Sequence, residues 1–208
     1  VGKNRSMNNS DVEILEKKLC YQGFFTMERY LLRHRLFNGS WSKPIVRELM
    51  ERGHAAAVLP YDPVSDQVVM IEQFRIGAIS APTGPWLLEI VAGIIELNEP
   101  AEQVVKREAV EEAGCAIHDL IPLFDYLVSP GGTSECIALY CGRVDIRHIV
   151  GGFYGIEAEG EDIKVHVMPF AEALSLLNTG KIAAASAIIA LQWLALNRDY
   201  VRSCWLTT

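Results

Sequence analysis

The strongest constraint on the fold lies in residues 93–115, which read GIIELNEPAEQVVKREAVEEAGC. Pro100 suits the first turn of a helix, because its missing N–H would be unpaired there anyway. Gly114 suits the left-handed residue that follows a helix end. We therefore predict a helix that begins near Pro100 and ends near Ala113.

An unusual number of carboxylates lies near the end of this predicted helix. Glu108, Glu111 and Glu112 continue the helical face that begins with the apolar residues Val104 and Val105. The helix dipole disfavours negative charge at this end by roughly 0.3–1 kcal/mol per group, and like charges three and four residues apart add a similar penalty. Two explanations are open: acids solvated on the surface, or acids that bind a cation.

The spacing of particular residues in this segment helps to choose between these explanations. The specified positions are, in order, Gly93, Glu99, Arg107, Glu108, Glu111, Glu112 and Gly114. This pattern resembles the Nudix box in full, with small or apolar residues where that pattern asks for them. Seven specified residues of ordinary abundance seldom match by chance, so the resemblance favours bound cations over a solvated surface.

Resemblance to the Nudix hydrolases implies an enzyme that splits the diphosphate of a nucleoside diphosphate linked to another group. It also implies that Glu108, Glu112 and the backbone carbonyl of Ala92 bind metal. Glu111 is then a weaker metal ligand, or a residue that contacts the ligands without contacting the metal. Arg107 orients the glutamates by salt bridging. Mg²⁺ prefers oxygen ligands and shares them with substrate phosphates. We expect two or three Mg²⁺ ions per site, with Mn²⁺ as a substitute.

Further strands and helices are predicted on both sides of the box. The predicted strands are residues 54–61, 67–76, 86–93, 120–128, 136–144 and 163–169, and the predicted helices are residues 170–179 and 183–198. Strands with intervening helices indicate an α/β or α+β fold, with a mixed sheet between helical layers. The resemblance implies the same class, a Nudix α/β/α sandwich.

Residues 11–52 form a first section, ahead of a main domain predicted at residues 53–208. Three extended segments are predicted in it, at residues 12–21, 24–36 and 41–51. The pair Asn38-Gly39 favours a hairpin. A sheet this small buries little apolar surface alone, so we expect an antiparallel sheet that packs on the main domain or serves as a dimerising arm. We expect residues 1–10 to be a disordered or vector-derived leader.

Two loops resemble the ADP-ribose pyrophosphatase branch of the family. Pro130 lies in the loop SPGGTSE, 16 residues past the last glycine of the box, although a simple β-turn would also explain a proline there. Residues 145–162 form a second predicted loop, and loops of this length are often functional. By resemblance, Glu159 in this loop is the general base on the attacking water and Glu161 binds metal. Glu161 and Glu157 remain alternatives for the base.

The resemblance to this branch continues along nearly the whole chain, in the segments GFF, LFNG, RELMERGHAA, EQFR and AASAIIALQWL. In that branch two subunits exchange the N-terminal sheet, which implies a homodimer with shared active sites. The implied substrate contacts are Phe24 and Arg47 on the adenine, Arg75 and Arg52 on the phosphates or the nucleotide, and Glu135 on a ribose hydroxyl. For each arginine, a surface salt bridge is an equally good explanation.

Composition restricts the partners and the compartment. The chain of 208 residues carries 19 Lys and Arg against 26 Asp and Glu, and this net charge of −7 argues against a general nucleic-acid binder. The longest nearly apolar run, residues 183–196, is too short to span a bilayer. Five cysteines without CxxC spacing indicate reduced thiols in a cytoplasmic protein. The five histidines have no metal-ligand spacing, and we expect them to be structural.

The resemblance implies a Mg²⁺-dependent hydrolase that converts ADP-ribose and water to AMP and ribose 5-phosphate, and the composition adds the expectation of no nucleic-acid or membrane partner. The first alternative is the same reaction on another nucleoside diphosphate sugar, such as GDP-mannose. The second alternative is a non-catalytic ADP-ribose-sensing Nudix module, which predicts a degraded box or an added DNA-binding domain. The intact box, and a sequence without a helix-turn-helix pattern or basic arm, favour the enzyme.

Overall fold

The computed structural model describes residues 7–206, apart from the side chain of Glu159. The chain forms two compact units, Val1–Gly53 with Leu127–Glu135, and His54–Tyr126 with Cys136–Thr208. Residues 1–6 of the predicted leader lie outside the described part. Its last residues enter a short 3-10 turn, Asn9–Asp11, which the side chain of Asn8 caps.

The first unit is built on a three-stranded antiparallel sheet in the order β1-β2-β3. Its strands are β1 (Val12–Gln22), β2 (Thr26–His34) and β3 (Ile45–Glu51). Gly39 in the predicted turn adopts a φ of 87°, which a glycine accepts without strain. The loop Leu127–Glu135 belongs to the same unit, because the amide of Met50 donates to the carbonyl of Gly132 at 2.8 Å.

The second unit contains an eight-stranded mixed sheet in the order β10-β11-β5-β4-β9-β8, in which β6 also pairs with β5 and β7 with β4. Its strands are β4 (Ala55–Asp62), β5 (Gln67–Phe74), β6 (Trp86–Glu89), β7 (Val91–Ile94), β8 (Asp119–Leu127), β9 (Cys136–Arg143), β10 (Phe153–Tyr154) and β11 (Ile163–Pro169). Strands β4 and β9 run parallel, whereas β5 is antiparallel to β4, β6 and β11. The predicted mixed sheet is confirmed.

Helices cover both faces of this sheet. Helix α1 (Ala101–Ala113) covers one face, and α2 (Phe170–Asn178) and α3 (Ala185–Leu206) cover the other. Because side chains alternate along a strand, Val69 and Ile71 of β5 pack with the α1 cluster, while Val68 and Met70 pack with the α2 and α3 cluster. The predicted α/β/α sandwich with a small additional antiparallel sheet is therefore confirmed.

One predicted strand, residues 86–93, is two strands in the structure. Strands β4 and β5 pair only through Tyr61–Val68 and Asp62–Gln67, and then separate. Strand β6 pairs with β5 and β7 pairs with β4, so the segment changes partner at the buried residue Ile90. The local sequence favours one extended segment at residues 86–93. It is divided into two strands because β4 and β5, with which it pairs, lie apart.

Two other predicted elements differ from the structure. Helix α3 continues to Leu206 instead of ending at residue 198, because Val201 and Trp205 in its last turns are also buried. Residues 145–162 are not one irregular loop, since they include β10 and the 3-10 turns Ile146–His148 and Glu157–Glu159. Within residues 7–206, no helix has the length and apolar character to cross a membrane.

Candidate active site

Helix α1 begins and ends as its sequence predicts. Pro100 is the N-cap residue, and Gly114 adopts the left-handed conformation with φ 59° and ψ 24°. The amides of Gly114 and Cys115 donate to carbonyls of the last helical turn. No basic residue lies in that last turn, so local cations offset little of the negative charge there.

Gly93 allows α1 to approach strand β7 closely. A Cβ atom added at Gly93 would lie 1.9 Å from Oε1 of Glu108, so any side chain at this position would displace the Glu108 carboxylate. The carboxylate of Glu108 therefore occupies the space directly over the backbone of β7. This contact is a geometric reason for the glycine that opens the box.

Glu112 is a buried carboxylate with little compensation. Its residue is 3% exposed, and Oε2 accepts a hydrogen bond of 3.1 Å from the amide of Ala92 on β7. Burial raises the pKa of Glu112 to about 8, and the nearby charge of Glu108 acts in the same direction. The structure thus brings together Ala92, Glu108 and Glu112, the three predicted ligands of the box.

Arg107 joins the other carboxylates of the box. Its Nη1 donates to Oε1 of Glu108 at 2.8 Å and to Oε2 of Glu111 at 3.0 Å. Its Nε donates to Oε1 of Glu99 at 3.2 Å. This contact lowers the pKa of Glu99, whereas burial keeps the pKa of Glu108 above its usual value despite the pairing with Arg107. The predicted salt bridges of Arg107 are present.

The acidic segment Glu157–Glu161 also reaches the box. Gly160 follows the 3-10 turn Glu157–Glu159 in the left-handed conformation. Oε2 of Glu161 accepts from the amide of Ile156 at 3.1 Å, and the charge of Glu161 adds to burial in raising the pKa of Glu108 and Glu112. The side chain of Glu159 lies outside the described part, so the choice of general base among the three glutamates of this segment stays a prediction.

Arg75 lies near the box, but its direct partner was not predicted. Its Nε donates to Oε2 of Glu89 at 2.9 Å, and its positive charge acts to lower the pKa of Glu112 against the larger effect of burial. Gln73, two residues before Arg75 on β5, is buried, and its Nε2 has no hydrogen-bond partner among the described residues. In an extended segment, side chains two residues apart lie on the same face, so the sequence EQFR could have indicated that Gln73 and Arg75 lie together.

The remaining predicted contacts lie in the first unit. Arg52 Nε lies 3.5 Å from Oε1 of the buried Glu135, and the Arg52 guanidinium lies 5.2 Å from the ring centre of Phe25. Phe24 is 84% exposed. Arg47 donates to its neighbouring carbonyl, Val46. The structure brings together Arg52 and Glu135, and does not join Phe24 or Arg47 to them.

The donor set of the box fits Mg²⁺, although it is not arranged as a finished metal site. Within residues 7–206, apart from the Glu159 side chain, no three His, Cys, Asp or Glu side chains already stand in metal-binding geometry. Arg107 engages Glu108 and Glu111, and Glu112 accepts from Ala92 instead. The carboxylates of Glu108 and Glu112 supply the oxygen ligands that Mg²⁺ prefers. Their raised pKa values indicate that nearby positive charge does not balance them, and a bound Mg²⁺ would supply that charge.

Comparisons with known proteins agree with the box. Residues 51–191 match the NUDIX domain. The ADP-ribose pyrophosphatase of Escherichia coli K12 is 46% identical over 200 residues, which cover 96% of this chain and 95% of the relative. The ADP-ribose pyrophosphatase of Haemophilus influenzae is 42% identical over 201 residues, which cover 95% of this chain and 92% of the relative.

More distant similarities include a second activity and a solved structure. The GDP-mannose pyrophosphatase of Pectobacterium atrosepticum is 34% identical over 187 residues, which cover 88% of this chain and 94% of the relative. A crystal structure of an ADP compounds hydrolase shares the fold, with a TM-score of 0.70 and 22% identity over 96% of this chain and 99% of that one. This chain therefore belongs to the Nudix family of hydrolases.

Proposed function

We propose that this protein hydrolyses the diphosphate of ADP-ribose, with Mg²⁺, to give AMP and ribose 5-phosphate. The observation that carries the proposal is the buried carboxylate of Glu112 beside Glu108 and Glu161, with too little positive charge around it. The identity of 46% over 96% of the chain to an ADP-ribose pyrophosphatase supports the choice of substrate.

In the proposed reaction, the oxygen of a water molecule forms a bond to one phosphorus and the bond from that phosphorus to the bridging oxygen breaks. The bridging oxygen leaves with the other phosphate, and a base accepts the proton of the water. Two or three Mg²⁺ ions, when bound, offset the charge of the diphosphate and lower the pKa of bound water; Mn²⁺ would substitute.

Each box residue then has a proposed part. Glu108, Glu112 and the carbonyl of Ala92 hold the metal, with Glu161 as a further ligand. Arg107, together with Glu111, orients these carboxylates through the salt bridges seen in the structure. Glu159 would accept the proton of the attacking water, because a carboxylate is a suitable general base and its segment lies against the box.

Substrate contacts are proposed for residues of both units. Arg75 lies within electrostatic reach of Glu112 and would contact the phosphates with its planar fork of donors. Arg52, paired with Glu135, would contact the nucleotide, and Glu135 would contact a ribose hydroxyl. Phe24 and Arg47 would stack on the adenine, since both are exposed. The ring of Phe24 contacts the ring of its neighbour Phe25 at a centroid distance of 5.0 Å, and Arg47 donates to the carbonyl of Val46.

The substrate test compares turnover on ADP-ribose and GDP-mannose with Mg²⁺, and identifies both products by chromatography. We expect a preference of about tenfold or more for ADP-ribose in kcat/KM. Hydrolysis in H₂¹⁸O reports the phosphorus attacked, because the label enters either AMP or ribose 5-phosphate. A tenfold preference for GDP-mannose would favour the second candidate, which the similarity to the Pectobacterium enzyme supports. Tight ADP-ribose binding without turnover would favour a sensor.

We propose a homodimer in which the first unit supplies residues to the partner's site. The support is the apolar surface of β1, where Ile14, Leu19 and Tyr21 are each at least half exposed. Light scattering should give twice the chain mass of 23.1 kDa. Leu19→Glu should shift the protein toward the monomer, whereas Val64→Glu, in an exposed turn of the second unit, should not.

We further propose that the protein works in the cytoplasm on a small-molecule substrate, with no nucleic-acid or membrane partner. All five cysteines are free thiols, which suits a reducing compartment. The net charge of −7 is unsuited to a general nucleic-acid surface. Fluorescence imaging of the tagged protein, and binding assays with duplex DNA at low salt, test these two points.

A further inference from the structure

The ring of Tyr154 lies directly over Gly114, the residue that ends helix α1. A Cβ atom added at Gly114 would lie 2.5 Å from one edge carbon of the Tyr154 ring and 2.8 Å from its hydroxyl oxygen. The ring therefore fills the space that a side chain at Gly114 would need. Two features favour glycine at position 114: the left-handed backbone conformation and the close contact with the Tyr154 ring.

Tyr154 is itself held in place on three sides. Its backbone pairs with the buried residue Ile163 in the β10–β11 pair. Its hydroxyl donates to the carbonyl of Val150 at 2.7 Å. Its half-buried ring packs against the apolar cluster under α1, which includes Val105. The neighbouring residue, Phe153, points away and is 79% exposed.

A second contact joins the same segment to the same helix end. The amide of Gly155 lies 3.4 Å from the carbonyl of Glu111. The last carbonyls of a helix have no partner inside the helix, so this amide satisfies one of them. Gly155 has a φ of 102°, and a Cβ added there would lie 2.8 Å from Cβ of Glu161. The chain thus turns sharply between the helix contact and the acidic segment.

These contacts decide where the carboxylate of Glu161 lies. The acidic segment is closed on itself, because the amide of Ile156 donates to Oε2 of Glu161 and the amide of Glu161 donates to the carbonyl of Ile156. By these two hydrogen bonds the segment is joined at its last residue directly to Ile156, the residue that precedes it. Its connection to the box on that side runs through Gly155 and Tyr154.

We propose that Tyr154 is a positioning residue, which fixes the acidic segment Glu157–Glu161 against the end of α1 by the contact of its ring with Gly114. Its effect on catalysis rests on the proposed function, since the segment holds the candidate base and a candidate metal ligand. Its effect on the position of the segment does not depend on any substrate.

The first test measures amide hydrogen exchange in the 208-residue chain without metal or substrate. Tyr154→Ala should raise exchange in residues 155–161 by about tenfold or more, the signature of local opening, while the amides of β4 stay protected. Tyr154→Phe keeps the ring contact with Gly114 and loses only the hydrogen bond to Val150, so it should raise exchange far less than Tyr154→Ala. Phe153→Ala removes an exposed ring from the same strand and serves as the matched control.

The second test separates positioning from a general loss of structure. Tyr154→Ala should lower kcat on ADP-ribose by about tenfold to a hundredfold, because a small misplacement of reacting groups is costly. It should also raise the Mg²⁺ concentration for half-maximal activity, while KM for ADP-ribose stays near the wild-type value. Tyr154→Phe should restore kcat. If Tyr154→Ala unfolds, Tyr154→Leu, which keeps apolar bulk, replaces it in both tests.

Unchanged exchange of residues 155–161 in Tyr154→Ala, or equal effects of Tyr154→Ala and Phe153→Ala, would overturn the proposal. Faster exchange in β4 as well would show that Tyr154 supports the whole unit and would also overturn it. A wild-type protein that does not hydrolyse ADP-ribose would instead sink the proposed function. In that case the exchange data still decide whether Tyr154 holds the segment.

Discussion

Two charged clusters of the second unit differ in their balance of charge. The box cluster contains the guanidinium of Arg107 and five carboxylates, of which three pair with it. The five acidic residues are Glu99, Glu108, Glu111, Glu112 and Glu161. The helix cluster sets one carboxylate, that of Asp66, between Arg198 and Arg202 of α3, and the buried hydroxyl of Tyr61 donates to Asp66 at 2.8 Å.

The difference in charge balance separates a functional cluster from a structural one. In the helix cluster both arginines contact the single carboxylate of Asp66 and all three groups are partly solvated, so the cluster can stabilise the position of α3 without any ligand. In the box cluster burial raises the pKa of Glu108 and Glu112, and the opposing charges of Arg107 on Glu108 and of Arg75 on Glu112 are too small to cancel this effect. Uncompensated buried carboxylates reduce stability, and the cation that we propose for the box would account for their presence.

The largest effect is expected from Glu112→Gln. This change removes a proposed metal ligand but keeps the size of the side chain, so kcat/KM on ADP-ribose should fall by roughly a thousandfold. Steady-state assays at several Mg²⁺ concentrations measure the loss. Near-normal turnover would contradict the metal role of Glu112. Asp66→Asn, which also converts a carboxylate to an amide, is the matched control from the helix cluster.

A smaller loss, about a hundredfold in kcat, is expected from Glu159→Gln, because a general base contributes less than the metal site. This variant should keep the metal affinity and substrate affinity of the wild type. Glu161→Gln should instead raise the Mg²⁺ requirement. Calorimetry and turnover at saturating Mg²⁺ distinguish the two variants. A greater loss of turnover in Glu161→Gln under those conditions means that the two assignments are reversed.

The stability of the protein in EDTA should fall as pH rises from about 5 to about 8. The pKa of Glu112 is about 8 in the folded protein against an ordinary value of 4.5. Between these values the folded state holds a proton that the unfolded state has released, so rising pH favours unfolding. Thermal unfolding of wild type and Glu112→Gln tests this. The variant should be the more stable one at pH 8, and identical pH profiles would refute the uncompensated burial of Glu112.

The smallest effect is expected in the helix cluster. Asp66→Asn should lower the free energy of unfolding by about 1 kcal/mol, because its arginine partners are partly solvated. Asn is chosen because Asp66 has a φ of 57°, which Asn tolerates. Activity per folded molecule should stay at the wild-type level. A large loss of activity with normal stability would show that the charge balance of a cluster does not predict its role.

The box and the strand pattern could be predicted from sequence because their signals are local. Pro100, Gly114 and the period of the apolar residues determine α1, and strand β11 follows its sequence run throughout. The division of residues 86–93 into two strands could not be predicted, since it depends on where β4 and β5 separate. The extension of α3 likewise depends on the burial of Trp205.

In the box, sequence predicted which residues gather but not how they pair. Arg107 was expected to orient the glutamates, yet only the structure shows that it engages Glu108 and Glu111 while Glu112 turns to Ala92. The pairing of Arg75, which follows β5, with Glu89, which ends β6, joins residues 14 positions apart, and no local pattern contains it. The contact of Tyr154 with Gly114 joins segments even farther apart in the sequence.

The most direct test of a cation-binding box is Mg²⁺ calorimetry at pH 7 in two buffers with different ionisation enthalpies. Because Glu112 has a pKa of about 8, it carries a proton at pH 7 that metal binding must release. The wild type should therefore release close to one proton on binding Mg²⁺, and Glu112→Gln should bind more weakly and release fewer. Equal affinity and equal proton release in the two proteins would contradict metal binding by Glu112.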